Sequence, residues 1–262
     1  MHDNLNILEI EDLVKTYDSG HRAVDGLSLS IPRGSIFGCI GLNGAGKTTT
    51  IRIIAGLCDK DSGSVRLFGK ALEEHEETYK REIGFVLDEP LYFDWMSASE
   101  YLHFVGTMYG LPGNDVHART EELLGFFDLE AKGDEPIESF STGMKKKVSL
   151  AAAIIHKPSL IILDEPLEGI DALASSAIKE SLTLMASKGT TIFITSHVLD
   201  TVEKFCTDVA IVHQGKTLLE CKTSDIRTRV KRTLASEKYQ SLEELFVDLL
   251  SEKAHKKHLS WL

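Results

Sequence analysis

The stretch Gly41-Leu42-Asn43-Gly44-Ala45-Gly46-Lys47-Thr48 narrows the possible folds more than any other part of this chain. It fits the spacing G-x-x-x-x-G-K-[ST] at every fixed position. Glycines at these intervals let main-chain N–H groups turn inward with no Cβ in the way. The run before it, Ser35 to Ile40, is short and apolar and reads as a strand. The run after it, "TTTIRIIAGL", reads as a helix. Strand, glycine turn and helix in that order aim the positive end of a helix dipole at the turn, which suits a phosphate group. Lys47 is placed to reach the outer phosphates and Thr48 to hold Mg²⁺.

Such a loop needs a carboxylate at the end of a second buried strand, for the metal. The tripeptide Asp-Glu-Pro occurs twice, at Asp88-Glu89-Pro90 and at Asp164-Glu165-Pro166. The second copy follows Leu160-Ile161-Ile162-Leu163, a continuous apolar run of the kind expected in a strand covered on both faces. Asp164 is then the metal ligand. Glu165, one residue further on, is placed to accept a proton from an attacking water. Pro166 ends the strand.

Further strands are expected at Ile83 to Leu87, Thr191 to Thr195 and Val209 to His213. Helical patterns lie between them. Ser97 and Glu100 form a capping-box pair. Ser141 to His156 carries Met144, Val148, Ala151, Ala152 and Ile155 on one stripe. A third helix is expected from about Ala172 to Ser187, with Gly189 as its stop. A fourth opens on Ser241 and Glu244 and shows Leu242, Leu245, Phe246, Leu249 and Leu250 on one face. The chain divides accordingly into a first core part (1–87), a mostly helical insertion (88–157), a second core part (158–222) and a helical tail (223–262).

Lys plus Arg number 29 against 40 Asp plus Glu, a net charge of −11, so nucleic acid is not an expected partner. Lys145, Lys146 and Lys147 read as a solvated helix face. The four cysteines are widely spaced, which fits a reduced compartment and no zinc or disulfide framework. No signal peptide is expected from "MHDNLNILEI", and no apolar run is long enough to span a bilayer.

Several motifs taken together resemble the ATP-binding subunit of an ABC (ATP-binding cassette) transporter. They are the glycine loop, "FSTGMKKKV" at Phe140 to Val148, the pair Asp164-Glu165, "GID" at Gly169 to Asp171, and "ITSHVLD", which carries His197. The resemblance covers nearly the whole chain. Thr142 and Met144 depart from the usual signature, where glycine and glutamine stand, while Ser141 and Gly143 agree with it.

The resemblance implies an α/β fold. It consists of a P-loop NTPase (RecA-like) core with an N-terminal antiparallel β subdomain and an inserted α-helical subdomain. It implies ATP hydrolysis coupled to transport, with ATP and Mg²⁺ bound. Gly41, Asn43, Gly44, Ala45, Gly46, Lys47, Thr48 and Thr49 would cradle the phosphates, and Tyr17 would stack on adenine. Thr48, Asp164 and Asp88 would serve the metal, Asp88 standing where the family has glutamine. Glu165, His197 and Lys47 would be catalytic. Ser141 and Gly143 would meet the nucleotide of a partner cassette, and Asp171 would couple the two sites.

The implied partners are a second ATP-binding subunit, identical or related, and transmembrane permease subunits. The implied location is the cytoplasm, peripheral on the inner face of the cell membrane. The cluster Leu91, Tyr92, Phe93, Trp95 and Met96 would help to line a groove for a permease helix. A soluble ATPase acting on DNA or ribosomes is disfavoured by the single cassette, the acidic charge and the short span between Thr48 and Ser141. A kinase or GTPase switch is disfavoured by the signature, by His197 and by the lack of an N-K-x-D motif. The chain ends soon after its core, which points to export rather than import.

Overall fold

The computed structural model describes residues 5–74, 76–88, 92–226 and 241–251. Its backbone is a mostly parallel sheet, with most of the helices on one side and a smaller antiparallel sheet on the other. The large sheet has six strands in the order β10-β9-β3-β8-β7-β6. These are β3 (Ile36–Ile40), β6 (Ile83–Val86), β7 (Leu160–Leu163), β8 (Thr191–Ser196), β9 (Asp208–His213) and β10 (Lys216–Lys222). The pairings of β3 with β8 and β9, and of β7 with β6 and β8, are parallel, and β10 returns antiparallel to β9. The small sheet has the order β2-β1-β4-β5, built from β1 (Asn6–Thr16), β2 (Arg22–Pro32), β4 (Ser62–Leu67) and β5 (Lys70–Ala71). All its pairings are antiparallel.

The period-2 alternation of a strand divides the apolar side chains between two cores. Ile36, Ile40, Ile161, Leu163, Ile192, Ile194, Val209 and Ile211 face the helices. Phe37, Cys39, Leu160, Ile162, Phe193, Ala210 and Val212 face the antiparallel sheet and helix α1 (Lys47–Ile54). This explains why the central strands read as unbroken apolar runs. Both faces are covered, so no position on them is free to be polar. Burial also pushes the Cys39 thiol up to about 12.

A short helix, α2 (Glu76–Tyr79), precedes β6. Three longer helices lie between β6 and β7: α3 (Ala98–Met108), α4 (Gly113–Phe126) and α5 (Thr142–Ile154). Both arms of the expected capping box at α3 are present. Glu100 N–H donates to Ser97 Oγ at 3.1 Å, and Ser97 N–H donates to Glu100 Oε2 at 2.9 Å. Helix α6 (Ala172–Ser187) ends before Gly189, whose φ of 97° suits a chain reversal that only glycine adopts without strain. Helix α7 (Leu199–Phe205) then receives the last described helix, α8 (Leu242–Ser251). Leu242, Leu245 and Phe246 of α8 are buried, and full burial of such side chains stabilises by about 1.5–3 kcal/mol each. Leu242 N–H donates to Glu203 Oε2 at 3.0 Å, which anchors the helix start.

Two expectations are corrected here. Lys145, Lys146 and Lys147 do not form a solvated face. Lys147 Nζ donates to the Phe127 carbonyl at 2.7 Å, Lys146 Nζ to the Glu165 carbonyl at 3.0 Å, and Lys145 Nζ lies 3.9 Å from Asp94. Lys146 and Lys147 staple α5 to its neighbours, because a lysine stem is long enough to reach carbonyls that helix ends and loops leave open, while Lys145 makes only a long ion pair with Asp94.

Tyr92 is likewise not a groove residue. Its ring packs edge-on to Tyr101 at 5.9 Å, and its hydroxyl donates to the Lys145 carbonyl at 2.7 Å and pairs with Ser149. Burial pushes that hydroxyl up to about 12. The exposed members of the cluster are Phe93 and Trp95, at 45% and 71%, with Phe93 also touching Phe104 at 5.4 Å between ring centres. Glu89, Pro90 and Leu91 lie outside the described residues, as does the tail beyond Ser251. Among the described residues no helix is long and apolar enough to cross a membrane.

The contact between β6 and α5 is tight. A Cβ added to Gly84 would lie 2.1 Å from the Ala153 carbonyl oxygen, closer than any real contact. Gly84→Ala is therefore expected to cost about 1–3 kcal/mol of stability, read as a lower denaturation midpoint in urea.

Candidate active site

The loop after β3 has its shape because two glycines leave room for neighbouring backbone. A Cβ at Gly41 would lie 2.4 Å from the Val212 carbonyl oxygen. A Cβ at Gly46 would lie 2.5 Å from that of Ala23, and Gly46 caps α1 at φ 104°. The turn thus lies against β9 and β2 and opens toward the N-terminus of α1, where main-chain N–H groups and the helix dipole favour an anion. Lys47, in the first turn of α1, is buried. Its Nζ donates to the Gly41 carbonyl at 2.8 Å and lies 3.5 Å from Glu165 Oε1.

Asp164 and Glu165 come from the end of β7. The register pairs Leu163 with Ile194, which sets the next residues, Asp164 and Thr195, beside each other. Thr195 Oγ1 donates to Asp164 Oδ1 at 2.5 Å and accepts from the Glu165 N–H at 3.0 Å. One hydroxyl therefore fixes two consecutive acidic residues. The other carboxylate oxygen, Asp164 Oδ2, is buried and has no hydrogen-bond partner. A buried, unpaired carboxylate oxygen is costly unless something hard and positive meets it, so the residues present fit a divalent cation such as Mg²⁺.

Glu165 has φ 45°, a left-handed conformation that costs a non-glycine residue on the order of 1–3 kcal/mol. Its side chain is held at both oxygens, Oε1 by Lys47 and Oε2 by His197 Nδ1 at 3.0 Å. The result is a row of Lys47, Glu165 and His197, of which Lys47 and Glu165 line a cleft of about 440 Å³.

That cleft is lined by Tyr17, Asn43 to Thr49, Asp88 and Glu165. Tyr17 bonds Thr49 through the two hydroxyls at 3.2 Å, so it closes one side of the loop. Gly41 does not line the cleft but holds Lys47 from beneath. Ser141, Gly143 and Asp171 do not line it either. They lie at the starts of α5 and α6, and a Cβ added to Gly143 would lie 3.8 Å from Ile170. Ser141 caps α5 by accepting from Met144 N–H at 3.3 Å. Asp171 caps α6, and the N–H groups of Ala174 and Leu173 hold its carboxyl below the usual range.

Three residues at the site were not read from the sequence. Thr195 lies in an apolar strand and shows its role only once the β7–β8 register is known. Glu168 lines the cleft, and its carboxylate, that of Glu165 and the His197 ring have ligand atoms within 4.8 Å of one another. Lys146 reaches the Glu165 and Glu168 carbonyls from α5.

A glycine loop between strand and helix, with a buried aspartate on the next strand but one, defines a P-loop nucleotide-hydrolase core. Residues 24–168 match the family model described as ABC transporter. The chain is 34% identical over 250 residues to the Linearmycin resistance ATP-binding protein LnrL of Bacillus subtilis (strain 168), covering 95% of this chain and 80% of that one. It is 33% identical to the Bacitracin transport ATP-binding protein BcrA of Bacillus licheniformis, covering 87% of this chain and 74% of that one. A solved structure described as the ATP-binding subunit of an ABC transporter superposes with a TM-score of 0.84 at 32% identity, covering 93% of this chain and 99% of that one. The chain belongs to the ABC transporter family, as an ATP-binding subunit and ATPase.

Thr195→Val keeps the shape and removes the shared hydroxyl. It is expected to cost about 1–3 kcal/mol in stability, because a buried carboxylate oxygen and an N–H lose their partner. ATP turnover should fall with it, and thermal melts beside an ATPase assay measure both.

Proposed function

We propose that this chain is the ATP-hydrolysing subunit of an exporter. It would pair with a second cassette around two ATP molecules and drive a separate permease from the cytoplasmic face of the membrane. The observation that carries the reading is the separation of two groups. Lys47 and Glu165 line the P-loop cleft, with His197 bonded to Glu165, whereas Ser141 and Gly143 do not line it and stand at the start of α5. A second copy that presents its Ser141 end to this cleft would complete each site. Export is supported by the relatives, among them the daunorubicin/doxorubicin resistance protein DrrA of Streptomyces peucetius, 32% identical, and a Nod factor export protein of Ralstonia nicotianae, 34% identical.

In this reading ATP lies with its phosphates on the main-chain N–H groups of residues 43–49 and its adenine against Tyr17. Thr48 and Asp164 would hold Mg²⁺, with Asp88 as a further carboxylate for it, and the ion would supply positive charge to the phosphate oxygens. Glu165 accepts a proton from water as the water oxygen bonds to the terminal phosphorus and the bond to ADP breaks. Lys47 and His197, already in contact with Glu165, steady its carboxylate and contact the transferred phosphoryl group. The exposed Phe93 and Trp95 supply an apolar surface for a permease helix.

Glu165→Gln is expected to bind ATP as the wild type does and to lose roughly 10²–10⁴-fold in turnover. The same variant should accumulate as a dimer on size exclusion in ATP and return to monomer without it. Trp95→Ala should keep ATP binding and lose permease-coupled transport. A monomer that hydrolyses ATP at the full rate at every protein concentration would defeat the paired-site reading.

A further inference from the structure

Lys146 lies on α5, on the same helix that Ser141 caps. Its Nζ donates to the carbonyl of Glu165 at 3.0 Å and also to the carbonyl of Glu168. Both oxygens belong to the turn that follows β7, the turn in which Glu165 takes φ 45°. A strained conformation persists only where its surroundings hold it on several sides. Thr195 holds the Glu165 N–H, and Lys47 and His197 hold its carboxylate. These three come from the parallel-sheet core. Lys146 holds the carbonyl, and it comes from the helical layer. Burial lowers the proton affinity of its ammonium, while the nearby carboxylates of Asp88, Glu168 and Glu165 oppose that effect. A lysine ammonium carries three hydrogen-bond donors.

We infer that Lys146 is a positioning residue for hydrolysis, whose ammonium pins the Glu165 and Glu168 carbonyls and so fixes the catalytic carboxylate to helix α5. Methionine at this position keeps the length and loses every donor. Arginine keeps the charge and the donors. Because α5 begins at Ser141, the staple also joins the signature end of one chain to the catalytic turn of the same chain. The inference rests on Glu165 as the base.

The test compares wild type, Lys146→Met, Lys146→Arg and Glu165→Gln in the full-length subunit, assayed for kcat, KM for ATP and Tm. Loss of a charge-assisted hydrogen bond to the catalytic turn is expected to lower kcat of Lys146→Met about tenfold or more. KM should stay within about threefold, since the phosphate loop is untouched. Tm should fall by no more than about 4 °C. Lys146→Arg should restore most of the turnover.

Turnover of Lys146→Met within about twofold of wild type would overturn the inference. So would a loss matched by a large fall in Tm or a rise in KM, or an arginine variant no better than methionine. An active Glu165→Gln would instead remove the base assignment and this inference with it. An inactive Glu165→Gln beside a fully active Lys146→Met would remove the staple alone.

Discussion

The hydroxyl of Thr195 is the contact on which the edge of the candidate site depends. It joins β8 to β7 at the point where both strands run out, and it satisfies Asp164 and Glu165 at once. Parallel pairing makes this possible. The register of Leu163 with Ile194 carries one step further and sets a threonine beside an aspartate. With Asp164 Oδ1 taken, Oδ2 is left as a buried acceptor facing no protein donor. With its N–H taken, Glu165 turns into the left-handed region and sends its carboxylate toward Lys47 and His197. Two strand ends and one side chain thus set a row of groups drawn from residues far apart in sequence.

Much of this was legible in the chain, and the reason is burial. The central strands lie between two cores, so their apolar runs mark them plainly, and Leu160–Leu163 and Ala172–Ser187 fall where the sequence reading places them. The glycine loop is legible because its steric demands admit few alternatives. The strands of the antiparallel sheet were harder. In β1 the alternation is broken by irregular register and by Asp12 at φ 48°, so no local period survives. The antiparallel subdomain was legible through family resemblance, not through pattern. The two copies of Asp-Glu-Pro have different roles in the sequence reading, and the fold sets them after the neighbouring strands β6 and β7. Asp164-Glu165 stands beside Thr195, while Asp88 follows the neighbouring strand β6 and lines the cleft as an exposed residue.

The misread residues share a cause. Lys146, Lys147 and Tyr92 carry polar tips on long or broad apolar bodies. Composition assigns such residues to the surface or to a contact patch, but a carbonyl within reach decides otherwise. The Tyr92 hydroxyl meets the Lys145 carbonyl, and Lys147 meets that of Phe127. Open carbonyls at helix ends and turns are not visible in a sequence, because they depend on which neighbours fail to donate.

The double cover of the central sheet has a chemical side as well. Cys39 lies on β3, directly before the phosphate loop, and its burial leaves it almost wholly protonated at neutral pH. A thiol attacks oxidants and alkylating agents as the thiolate, so burial disfavours the reactive form of this sulfur although it lies beside the glycine loop. Cys206, buried and pushed up to about 12, is disfavoured as the thiolate for the same reason. The packing that shapes the cradle therefore also shields it, leaving the half-buried Cys58, past the end of α1, as the thiol most open to solvent.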